Sequence, residues 1–242
     1  MIKGIIILAC CLPLAVSATE NQAITDTNFQ ADLAYSTSEY FDHVILSGIV
    51  NLPISDNLGA SLGAIASNTN GKTVNGGRGI DSKLYGLNAL VFVRNQNMGR
   101  LGLGYALAHS ENDESNSSSF PDERDIHGYR LLGEYYLDTI TLTGSRNYSA
   151  DDDDNEFFSS TLAVAWYVQD NIRLNIARLM HQDQYDSIIL LELQPALMNN
   201  AMSISLAYEK DSDDSDFDTY GISVSYFFGT RVSLIDRDRK YR

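Results

Sequence analysis

The 242-residue sequence predicts an all-β chain that closes into a transmembrane antiparallel up-and-down β-barrel of about 12 strands. Three observations predict it. Most of the chain alternates in hydropathy with a period of two. The connectors between alternating runs are short and long by turns. The face opposite the apolar one is built from Gly, Ser and Ala rather than from large polar residues.

The elements follow in order. Met1-Ile2-Lys3-Gly4, the apolar run Ile5 to Leu14 and the small-residue site Ala15-Val16-Ser17-Ala18 have the layout of a secretory signal, so residues 1–18 are expected to be removed. Ile7-Leu8-Ala9 before Cys10 also fits lipoprotein processing, but cutting there leaves too short an apolar region. Both cysteines, Cys10 and Cys11, lie in this leader, so the mature chain holds no disulfide, thiolate metal site or cysteine nucleophile. Strands are expected near 28–36, 43–54, 58–67, 83–94, 99–109, 126–137, 139–148, 157–168, 171–181, 187–197, 201–209 and 219–228, with 10 or 14 strands left open. The alternation is plainest where Leu101, Leu103, Tyr105 and Leu107 oppose Gly102, Gly104 and Ala106, and where Leu162, Val164, Trp166 and Val168 oppose Ala163, Ala165 and Tyr167. Met202 to Tyr208 and Tyr220 to Phe228 repeat it. Short turn-forming connectors (Ser55-Asp56-Asn57, Asn95-Gln96-Asn97, Asp138-Thr139, Gln169-Asp170-Asn171, Asn199-Asn200) alternate with long polar ones at 68–82, 110–126, 149–156 and 209–219. The barrel domain is therefore residues 19–228, and residues 229–242 form a tail, basic from Arg231 on, expected outside the bilayer.

A soluble barrel would turn its apolar face inward and cover its outside with large polar side chains. Small residues on the second face suit a lumen instead. Aromatic residues sit where the two membrane interfaces belong: Trp166, Tyr135, Tyr226 and Phe228 near the short turns, and Tyr35, Tyr148, Tyr185, Tyr208 and Tyr220 near the long loops. The net charge of −15 excludes a phosphate-tracking nucleic-acid binder, which needs clustered Lys and Arg.

The leader, the cysteine-free mature chain, the hairpin pattern of 28–228 and the aromatic strand Tyr220-Gly221-Ile222-Ser223-Val224-Ser225-Tyr226-Phe227-Phe228 together resemble the porin-like outer membrane proteins of Gram-negative bacteria. The resemblance implies an outer-membrane location with both termini periplasmic, recognition by the barrel assembly machinery, contact with outer membrane lipids and lipopolysaccharide, and passive channel activity. Such proteins usually finish on an aromatic residue; here Gly229 to Arg242 follow.

Alternation places Asp32, Arg94, Arg130, Glu134, Arg173 and Glu192 on the lumen face, where buried charges need partners or water. Arg146 and Arg178 fall on the lipid face about 16 Å above the short turns, from where their stems can snorkel outward to lipopolysaccharide phosphates unless a local bulge turns either side chain inward. Nineteen of the 32 acidic residues crowd four loop segments. Asp151, Asp152, Asp153 and Asp154, and Asp211, Asp213, Asp214, Asp216 and Asp218, are candidate divalent-cation ligands, although a calcium-loop glycine is missing. His109, Ser110 and Asp125 could be imagined as a hydrolase triad, but no nucleophile motif surrounds Ser110. The expected function is a small channel passing ions or small polar solutes, with no cofactor and no catalysis. The alternatives are a non-conducting structural or adhesive surface barrel and, behind it, a loop-side hydrolase.

Overall fold

The computed structural model describes residues 24, 26–73, 79, 81–113, 123–153, 155–181, 184–196, 199–211 and 218–241. The proposed leader lies outside them. Twelve strands form one closed barrel: β1 (Asn28–Thr37), β2 (Phe41–Pro53), β3 (Leu58–Gly71), β4 (Asp81–Asn95), β5 (Gly99–Asp113), β6 (Glu123–Leu137), β7 (Ile140–Asp151), β8 (Glu156–Gln169), β9 (Ile172–His181), β10 (Gln184–Leu193), β11 (Met202–Asp211) and β12 (Asp218–Phe228). Each strand pairs with its sequence neighbours in antiparallel register, and β1 closes on β12 with Phe29 opposite Phe228. Closure removes the two sheet edges whose bare backbone groups lipid could not satisfy.

The exterior carries Leu62, Leu87, Leu101, Leu103, Leu131, Leu162, Ile176 and Leu206, and Leu103 is 68 % exposed. A continuous apolar band of this extent is stable only against lipid. Aromatic rings bound it on the loop side, where Tyr105, Tyr129, Tyr148 and Phe158 stand in a row with centroids 5.1 to 6.3 Å apart. On the turn side Phe29, Tyr226 and Phe228 form a second cluster, 4.6 to 5.2 Å apart.

Several strands run further toward the loops than alternation alone suggested; β5 reaches Asp113 and β6 begins at Glu123. The strand expected at 187–197 is instead Gln184–Leu193. Its turn-side end comes early because Pro195 has no N–H to give a ladder. After β12 the chain turns back. Residues Leu234–Lys240 form a helix, α1, capped by Ser233, whose side chain accepts from the Asp236 N–H. The last strand ends at Phe228 as expected, and the tail beyond it packs against the barrel: Leu234, Arg237 and Asp238 are buried, held by strand residues that face the lumen.

Candidate functional site

At the short-turn end, all twelve strands send a lumen-facing side chain to one level, and all twelve are buried. In chain order they are Gln30, Asn51, Ser61, Arg94, Arg100, Tyr136, Thr141, Tyr167, Arg173, Glu192, Ser203 and Phe227. Charged and amide groups are kept out of water only when their partners are supplied internally. Gln30 donates to Asp32 and Asn51 accepts from Ser61, and two clusters supply partners for the charged groups.

The first cluster is built on β4, β5 and β6. Arg100 donates to Glu134 Oε1 at 2.6 Å and Tyr136 donates to Glu134 Oε2 at 3.0 Å, while Arg94 lies 3.9 Å from the same carboxylate. Both guanidiniums flank the Phe92 ring, at 5.4 and 5.3 Å from its centroid. Ile24, ahead of β1, is fully buried with Leu90, Phe92 and Leu132 on the lumen side.

The second cluster joins β8, β9, β10 and β11 to α1. Arg173 donates to both Glu192 and Asp238. Tyr167 donates to Asp238 at 2.8 Å, and Arg237 donates to Glu192 at 2.7 Å. Ser203 gives Glu192 a further donor. The Arg237 guanidinium also lies over the Phe227 ring, 3.5 Å from its centroid. Arg239 links the clusters: Arg94 donates to its carbonyl at 3.2 Å, and its guanidinium donates to the Ile140 carbonyl at 2.8 Å. Apolar packing is modest, with Leu234 and Ile235 against Ala165 and Tyr167. The helix therefore crosses the barrel mouth as a polar stopper, fastened mainly by charge and hydrogen bonds.

Asp32, Arg94, Arg130, Glu134, Arg173 and Glu192 all have lumen-facing positions. Arg94 and Glu134 join the first cluster, Arg173 and Glu192 the second. Asp32 stands apart with Gln30 and Ser47. Arg130 lies higher, between Gly104 and Asn147. The sequence reading missed Arg100, which shares the face of Gly102 and Gly104 and so carried the parity signal. It also missed Arg237, Asp238 and Arg239, which belong to no alternating run.

Arg146 and Arg178 point outward from β7 and β9. Of the acidic loop candidates, Asp154, Asp213, Asp214 and Asp216 lie outside the described residues. Asp151 is buried and accepts from the backbone N–H groups of Asp153 and Asn155, with Arg124 3.8 Å away, so its oxygens serve the turn. Asp152 and Asp153 are exposed, Asp211 is the last residue of β11, opposite Asp186, and Asp218 accepts from Tyr208. Among the described residues no three His, Cys, Asp or Glu side chains converge as a metal site. His109 Nδ1 lies 2.7 Å from Asp125 on the outer face, but neighbouring Ser110 is buried on the lumen side. The imagined triad is thus divided by the barrel wall, because consecutive strand residues face opposite ways.

This is the fold of the outer membrane barrels. The COG4313 outer membrane channel from Pseudomonas putida F1 superposes with a TM-score of 0.63 at 10 % identity, over 88 % of this chain and 100 % of that one. A KdgM porin in complex with disordered oligogalacturonate gives 0.60 at 10 % identity, over 83 % and 99 %. The outer membrane phospholipase of Salmonella typhi, a dimer with bound calcium, gives 0.53 at 10 % identity, over 85 % and 91 %. No family model and no curated protein matches the sequence.

Proposed function

We propose that this chain is a small outer-membrane channel for ions and small polar solutes, closed at its periplasmic end by its own C-terminal helix until that helix is displaced. The observation that carries this reading is the fastening of α1. Its anchors are Arg237, Asp238 and Arg239 rather than an apolar core. Once the helix lifts, water can take over each of its polar contacts, whereas an apolar plug would have to expose its core to leave. Above the floor the lumen wall offers half-buried Asn88, Arg130, Asn147 and Asn175, a lining suited to hydrated solutes. The fold it shares with porin-like barrels supports the same class.

Single-channel recording in planar bilayers tests it. The full chain is expected to show rare, small openings, and a chain lacking residues 231–242 to conduct steadily while still migrating as a heat-modifiable folded barrel. A folded truncation that stays silent would favour the second reading, a non-conducting structural or adhesive barrel. The complete ring of buried side chains at the floor is the observation on that side.

A further inference from the structure

The lipid-facing wall is apolar along its middle, with a local exception on β7 to β10. Arg146 projects from β7 opposite Leu131 and Ser160, and Arg178 from β9 opposite Leu162 and Ser187. Both arginines are exposed. None of their register neighbours is a carboxylate, and neither arginine has an ion-pair partner among the described residues. Only β8 stands between their strands, and they are offset by two residues. From two strand spacings and two residue rises, their Cα atoms lie about 12 Å apart.

The direction of the two side chains is informative. Arg178 stacks on Tyr185 at 3.8 Å, and Arg146 lies 5.5 Å from the Phe158 centroid while donating to Ser160 Oγ at 3.0 Å. Phe158 lies two residues loopward of Ser160, and Tyr185 two residues loopward of Ser187. Both guanidiniums are thus drawn toward the loop-side interface. The aromatic faces hold them in place without neutralising them. A cation kept at the edge of a hydrocarbon layer with no protein counter-charge is stabilised by an anion supplied from the lipid. Guanidinium pairs best with a group that accepts two parallel hydrogen bonds, and phosphate is the anion of that shape at this height.

We propose that Arg146 and Arg178 form a binding site for the phosphates of the phosphorylated glycolipid in the loop-side leaflet, that is, for the lipid A part of lipopolysaccharide. Tyr185, Phe158 and Ser160 position the guanidiniums, and Leu162 and Ile176 below them lie against its acyl chains.

Native mass spectrometry of the refolded full chain in detergent tests the site. The probes are bisphosphorylated lipid A, the same lipid A with its phosphates removed, phosphatidylglycerol and inorganic phosphate. The wild type is expected to retain bisphosphorylated lipid A, and R146Q/R178Q to lose about tenfold or more in affinity, the range of a lost charge-assisted pair. Phosphatidylglycerol should be held equally by both. Equal retention of the two lipid A forms by the wild type would overturn the proposal, as would unchanged binding by the double variant. Displacement of lipid A by inorganic phosphate alone would reassign the arginines to free anions and also overturn it. Should the double variant not refold, the comparison of the two lipid A forms on the wild type decides.

Discussion

Glu192 accepts from donors on three elements: Arg173 on β9, Ser203 on β11 and Arg237 on α1. Removing it takes from buried Arg237 the carboxylate it donates to, and from Arg173 one of its two. Glu192→Ala is therefore expected to destabilise the barrel by about 3–5 kcal/mol, the usual cost of breaking a buried pair from one side. The midpoint of urea unfolding in detergent, read by tryptophan fluorescence, measures it; a loss below about 1 kcal/mol would mean that water replaces the carboxylate. At this scale much was legible beforehand. Alternation alone put Glu192 and Arg173 on the inner face, and the register shows them directly opposite each other. Their third partner was not legible, since Asp238 comes 46 residues after Glu192, beyond the last strand.

Strands were the easiest elements to read, and their ends the hardest. A period of two persists only while one face meets lipid; loopward of the aromatic rows both faces meet polar surroundings, and the pattern fades while the ladder continues. The helix α1 did leave a trace, Ser233-Leu234-Ile235-Asp236, which has the spacing of a capping box. At 7 residues it is too short to show a face by periodicity. The turns yield a sharper test. Gly99 opens β5 with φ of +150°, and a Cβ there would strike the Glu134 carbonyl. Gly99→Ala is expected to cost about 1–3 kcal/mol in backbone strain. In Gly144→Ala the new methyl would meet only Leu162, at 3.7 Å, and the barrel should hold. The temperature at which each variant loses its fast-migrating folded form on a gel compares them, and equal losses would rule out the strain account.

Across the whole molecule, fixed charge is divided between the two ends. The loop end carries Asp42, Glu111, Glu123, Asp125, Asp152, Asp153 and Glu156. At the turn end, once residues 231–242 are gone, Arg94, Arg100 and Arg173 face Asp32, Glu134 and Glu192, and the charges cancel. If the truncated barrel conducts as proposed, it should therefore prefer cations at low salt, where the acidic rim concentrates them. That preference should fade near 1 M salt, where screening acts within about 3 Å. Reversal potentials across a salt gradient decide it, and anion preference at low salt would place control at the floor. The outline of the molecule, an even-stranded barrel with short turns at one end, was written in the spacing of the connectors. That its end is stoppered was not, because the stopper's partners are scattered from β4 to β12 and meet only after closure.

That scattering imposes an order on assembly. The pocket that receives α1 does not exist until β1 has found β12, since its walls come from both halves of the chain. The tail follows β12 in the chain, so it is synthesised after every strand. A newly closed barrel would therefore pass through an interval in which its ring is complete and α1 is not yet seated, and on the proposed function that interval is a brief leak, ended when the chain tucks in the segment after its last strand.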